Sequence, residues 1–201
     1  MWALIEDGSI TKIINKPRGM IIDNIQYSRN IFSFRWSNEE REAIGLYEVV
    51  FNNTKKKDEE YYTNTNQTFT YDADAGTVTA TYGDATAKAH ADTLYTADDE
   101  DNGLGTEGEV KVEGLKTKKI RDIKQQAAGI LAETDWYIVR KADANTAIPS
   151  AITNHRAAVR TKCASMETAI TNASNTAAIE TLYTRDADGV RPLGELPTLE
   201  V

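Results

Sequence analysis

Between Lys88 and Lys111 the chain has no lysine or arginine, while seven acids fall between Asp92 and Glu109, interspersed with Gly103, Gly105 and Gly108. Like charges at this density repel one another, and glycine widens the conformational choices of the backbone, so the stretch cannot lie inside a packed core. It divides the 201 residues into two parts of different texture. The expectation is an acidic, glycine-containing linker over 92–114, with a β-rich domain over 1–91 before it and a small helical domain over 115–183 after it. Residues 184–201, with Pro192 and Pro197 among polar side chains, read as a flexible tail. The fold class expected is α+β.

The first part shows strand signals. Trp2-Ala3-Leu4-Ile5 and Ile10-Thr11-Lys12-Ile13-Ile14 flank Asp7-Gly8, a dipeptide suited to the positive φ angles of a tight hairpin. Pro17 closes the second strand. After the apolar run Ile31–Trp36, Ser37 and Glu40 fit a capping box, in which each side chain satisfies an orphan backbone donor. The short helix should reach Ile44 and stop at Gly45. Leu46–Phe51 reads as a buried strand, and Thr68–Tyr71 with Thr77–Tyr82 as a second, Thr-rich hairpin.

The second part has helical spacing. Ile120, Ile123, Ala127, Ile130 and Leu131 repeat at one face, with Lys118, Lys119, Arg121 and Lys124 on the others. Thr134 or Asp135 is placed to cap a short helix through Trp136–Arg140. Pro149 suits the first turn of a long helix carrying Ile152, Val159, Cys163, Met166 and Ile170 in one stripe. A last short helix spans Asn175 to Tyr183.

Net charge is −8. Binding nucleic acid or an anionic membrane surface needs clustered cations, so neither is expected as a partner. No apolar run is long enough to span a bilayer, and the N-terminus lacks the basic start of a secretory signal, so a cytoplasmic location is expected. A lone cysteine, Cys163, forms no internal disulfide and no thiolate metal site by itself.

Motifs for chemistry are sparse. Gly103–Gly108 spells G-x-G-x-x-G, but the acids Asp98–Asp101 precede it where a dinucleotide fold needs a buried strand. Asp98, Glu100, Asn102, Gly103 and Glu109 fall at calcium-loop positions one, three, five, six and twelve, yet Gly105 takes the apolar eighth position and Gly114 interrupts the exiting helix, which favours a linker. His155 and Cys163, eight residues apart on one helix, stand about 12 Å apart along its axis. That is too far for a nucleophile and its base, and a buried thiol beside a surface or rim histidine is expected. No catalytic, metal or cofactor site is expected.

Ile130-Leu131-Ala132-Glu133-Thr134-Asp135-Trp136 resembles the core motif of the phage tail assembly chaperone family, a basic helix ending in Leu-Leu-Ala-x-Thr-Asp-Trp. That motif continues through a Pro-bearing loop, here Pro149, to a helix with Tyr-Arg-x-Ala-(Leu or Val)-Arg. Asn154–Arg160 supplies this second half, with His155 where Tyr is usual. The resemblance covers roughly residues 115–171. Tyr27–Phe32 through Glu39–Tyr47 also looks like small β-rich modules attached to such regions in phage tail-locus proteins. The resemblance implies a protein that helps tail fibre or tail tube subunits assemble, working in the host cytoplasm by protein–protein contact, with homo- or hetero-oligomers as its form. A structural place in the virion tail, as a fibre adaptor or baseplate accessory protein, is the alternative. A small hydrolase using His155 or Cys163 is a third reading, and would need the two side chains in one cleft.

The candidate partner-binding residues are Trp136, Tyr137, Arg140, Arg156 and Arg160. Trp, Tyr and Arg dominate interface hot spots. Trp136 could equally be the core of the helical hairpin. Arg156 and Arg160, one turn apart, could pair with partner carboxylates or with Asp135 in this chain.

Overall fold

The structure, a computed structural model, describes residues 1–199. It is an α+β fold in two compact units, 1–86 and 87–201, so the division falls a few residues before the expected boundary at 91.

In the first unit β1 (Trp2–Glu6) and β2 (Ser9–Ile14) form the hairpin foreseen at Asp7-Gly8, both of which take positive φ, 49° and 73°. A second small hairpin, β3 (Met20–Ile22) and β4 (Ile25–Tyr27), turns at Asp23-Asn24, also at positive φ. Asp and Asn tolerate that region because their short polar side chains bond locally. The helix α1 (Asn38–Glu42) begins in the expected capping box, with the Ser37 hydroxyl accepting the Glu40 N–H at 3.2 Å and the Glu40 carboxylate accepting the Ser37 N–H at 2.7 Å. Next come β5 (Leu46–Asn52), β6 (Tyr62–Thr63), β7 (Thr68–Asp72) and β8 (Thr77–Thr81), with β9 (Thr86–Ala87) at the boundary between the units. The main sheet runs β2-β1-β5-β8-β7, antiparallel except for the β5–β8 pair, and curls so that its edge strands approach each other.

Alternation explains how β1 stays apolar from Trp2 to Ile5. Trp2 and Leu4 pack with Ile14, Met20, Ile22, Ile31 and Leu46, while Ala3 and Ile5, on the other face, pack with Val49, Val78 and Ala80. A strand covered on both faces needs no polar side. The apolar run Ile31–Trp36 begins in a 3-10 turn (Arg29–Phe32) and continues as a loop. Buried Arg41 takes the place of a neighbouring strand: its guanidinium donates to the carbonyls of Ile31 at 2.8 Å and Ser33 at 2.9 Å, and to Asn38 Oδ1 at 2.8 Å.

The segment 92–114 corrects the linker expectation. It belongs to the second unit and carries a hairpin, β10 (Thr93–Leu94) and β11 (Val110–Val112), joined through a short helix α2 (Ala97–Asp101). The acids do not all repel: Asp99 caps α2 with Thr96 and pairs with Lys111 at 2.6 Å. Nor do the glycines serve flexibility alone. A side chain at Gly105 would strike the Tyr95 ring, and one at Gly114 would run into the backbone of Ala91. These are close approaches that only glycine permits.

Gly114 is also the N-cap of α3 (Leu115–Ala132) and has no side chain to cap with. The first-turn N–H groups of Leu115 and Lys116 donate instead to the Ala89 and His90 carbonyls, at 3.0 Å each, and Asp92 anchors the start of the helix, accepting the Gly114 N–H at 2.6 Å and the Thr117 hydroxyl at 2.7 Å. Those two bonds, Thr117's first, hold the Asp92 carboxyl below its ordinary range. A carboxylate whose folded pKa is depressed contributes stability that is complete above its unfolded value, near pH 4, and is lost as pH falls through the folded value. Asp92→Asn is therefore expected to be less stable than the wild type near neutrality. The two melting temperatures should converge on acidification below about pH 4, and a difference independent of pH would refute the anchoring role.

After α3 come α4 (Asp135–Ala144), α5 (Ser150–Asn172) and α6 (Thr176–Tyr183). Asn175 caps α6 by accepting the Ala178 N–H at 2.8 Å. Ile123 and Ala127 of α3 meet Val159, Cys163, Met166 and Ile170 of α5, the stripe legible in the sequence. The segment after α6 corrects the flexible-tail expectation. Leu193 is 3% exposed and completes this core, with Leu196 against it. The Leu193 N–H donates to the Leu182 carbonyl at 3.0 Å, and Lys162 Nζ donates to the Leu193 carbonyl at 2.9 Å. Glu195 bridges Arg185 and Arg191, at 2.6 Å each. Glu200 and Val201, the end of that tail, lie outside the described residues. Among the described residues no helix is long and apolar enough to cross a membrane.

Candidate partner interface

The helix α4 follows α3 after a two-residue turn at Glu133-Thr134 and ends at Asn145, in the left-handed region. None of its residues is buried. Trp136 is 51% exposed, Ile138 43% and Val139 65%. At the 3.6-residue helical repeat, Ile138 and Val139 project about 200° and 300° around the axis from Trp136, so the three fall within an arc of about 160°, one broad apolar face of the helix. Ile138 and Val139 are the residues that the candidate set lacks, and their helical spacing from Trp136 is the sequence signal that could have found them.

Three of the five candidates come together on α4. The rings of Trp136 and Tyr137 lie 3.8 Å apart between centroids, and the Arg140 guanidinium stacks 4.7 Å from the first and 5.3 Å from the second. Stacking of this kind fixes a planar cation over apolar surface. Nε of Arg140 is buried without a hydrogen-bond partner, and no carboxylate pairs with the side chain among the described residues. The result is a rigid aromatic–cation plate at the surface, without an acid to neutralise it.

Arg156 does not join them, which corrects its assignment as a partner-binding residue. It is 7% exposed and turned inward. Its guanidinium donates to the Leu131 carbonyl and to Thr134 Oγ1, both at 2.6 Å, and pairs with Asp135 at 2.8 Å. One planar fork thus clamps the turn between α3 and α4 onto α5. It also explains why Thr134, at the N-cap position of α4, makes no side-chain cap: its hydroxyl accepts from Arg156 and donates to Leu131 at 3.0 Å. Arg160, one turn along α5, is exposed, and its NH1 reaches only the Arg156 carbonyl, at 3.5 Å.

His155 and Cys163 lie on the same helix, and both are buried, as expected for the thiol but not for a histidine placed at the surface or rim. Cys163 Sγ donates to Glu167 at 3.4 Å. Burial, reinforced by that carboxylate, pushes the thiol pKa up. A reactive cysteine needs the opposite shift. The calcium-loop residues Asp98 and Glu100 sit in the single turn of α2, and among the described residues no three acids, histidines or cysteines gather as a metal would require.

In comparisons with known proteins, no family model, no curated sequence and no solved structure matches the chain.

Proposed function

We propose that the chain is a non-enzymatic accessory protein of bacteriophage tail assembly, a chaperone of a fibre or tube subunit, with α4 as its docking face. The observation behind this reading is that a ten-residue helix with no buried residue displays Trp136, Ile138 and Val139 around a stacked, unneutralised Arg140. Exposed apolar surface of this kind marks contact sites. The occupant that fits is a tail-subunit segment offering apolar side chains together with a carboxylate: the apolar groups cover Trp136 and Val139, and the acid meets Arg140, with Arg160 as a further free cation. Charge-assisted bonds to a guanidinium are strong when the site is dried by apolar neighbours. The tail context rests on the Leu-Ala-x-Thr-Asp-Trp resemblance.

The test is co-expression with a phage tail fibre or tube subunit. Trp136→Ala and Arg140→Ala are each expected to weaken the complex by about tenfold or more, the scale of a hot-spot truncation. Undiminished co-purification, with helical circular dichroism intact, removes α4 from the interface. Mass spectrometry of purified particles separates a transient chaperone, absent from them, from a retained structural component.

A further inference from the structure

Away from α4, the hairpin of β10 and β11 also shows unsheltered apolar side chains. It is a sheet of two strands, so both are edge strands. Leu94 and Val110 face each other across it and both are exposed, as are Val112 beside them and Leu104 in the connection. Two-stranded ribbons bury too little to be stable alone, and an open apolar edge is a template for a further strand. Natural edges are commonly protected by lysine. This one has the opposite sign: its single lysine, Lys111, is held by Asp99 at 2.6 Å, whereas Asp98, Asp101, Glu107 and Glu109 have no cationic partner among the described residues.

We propose that this hairpin accepts a third strand from a partner protein, an extended segment in which lysine or arginine alternates with β-branched apolar residues. Main-chain bonds to the open edge supply the pairing and alternate side chains supply the selectivity. With a period of two, one face of the incoming strand covers apolar hairpin side chains such as Leu94 and Val110, and the other carries cations to the unpaired acids. The proposal does not depend on α4, which calls for an acidic partner segment.

The experiment titrates the full-length protein with a synthetic peptide of alternating valine and lysine, and with a serine–lysine peptide of equal length and charge. Backbone amide shifts in the protein report the site. The valine–lysine peptide is expected to move the amides of Leu94, Val110 and Val112, with affinity falling severalfold as salt is raised. Val110→Asp is expected to lower affinity at least tenfold. Val112→Thr, which keeps the branched shape and so the hairpin, is expected to lower it severalfold. Equal binding of the serine–lysine peptide would mean charge alone, and would overturn the proposal. So would shifts confined to other residues, or hairpin shifts that grow with protein concentration without peptide, which would make a second copy the occupant.

Discussion

Leu193→Ala is expected to destabilise the helical unit by about 2–4 kcal/mol, and Leu193→Asp to unfold it. The residue lies beyond the last helix in a segment whose composition suggests no structure, yet it is buried as a member of the core cluster built by α3 and α5. Truncation to alanine removes buried methyl groups and leaves a cavity that the packed helices cannot close. Aspartate would place a charge among apolar side chains, and Lys162 meets the Leu193 backbone carbonyl rather than its side chain. Denaturant unfolding of the full-length chain, followed by helical circular dichroism, measures both. A Leu193→Asp protein that melts like the wild type would show that residues 184–199 do not complete the core.

The second large effect concerns Arg156. Arg156→Met is expected to cost about 2–3 kcal/mol, because charge-assisted bonds to Leu131 and Thr134 disappear and Thr134, 3% exposed, has no water to replace them. Asp135 contributes less to the loss, since its side chain is 59% exposed and water solvates it once the pair is broken. Arg156→Lys should recover only part, as one ammonium on a flexible stem does not reproduce a planar fork reaching three acceptors. The outcome separates two roles for the same residue. If Arg156 met a partner, stability of the isolated chain would not change and only complex formation would fall. If it clamps the α3–α4 turn, the isolated chain softens first, and the position of α4 with it. Near-ultraviolet circular dichroism of the stacked Trp136 and Tyr137 follows that second change.

These two residues mark where sequence reading runs out. Elements set by local chemistry were legible. The Asp7-Gly8 hairpin, the Ser37–Glu40 capping box, the α5 stripe from Ile152 to Ile170 and the Asn175 start of α6 each depend on residues within a turn or two of one another. Steric limits on φ, orphan donors at helix ends and the 3.6-residue period act over that distance. The α+β class followed from the same signals.

Of the candidate site, the grouping of Trp136, Tyr137 and Arg140 was legible for the same reason, since they share one and a half turns of helix. What Arg156 does was not. Thr134 and Asp135 stand more than twenty residues away in sequence, and a guanidinium serves an internal clamp or a foreign carboxylate equally well until packing places one of them beside it.

The acidic stretch shows the limit most plainly. Seven acids and three glycines dictate that 92–109 stays at the surface, and it does. Whether such a surface segment is loose or folded depends on particular long-range pairs: Asp92 reaching α3, Asp99 reaching Lys111, Tyr95 filling the space beside Gly105. Composition counts charges but does not locate their partners. The sequence alone determined the local elements and the segregation of apolar from charged residues. Tertiary structure alone decided that the linker is a hairpin, that the tail is core and that α4 is left uncovered, because each of those outcomes depends on which distant atoms arrive within a few ångströms.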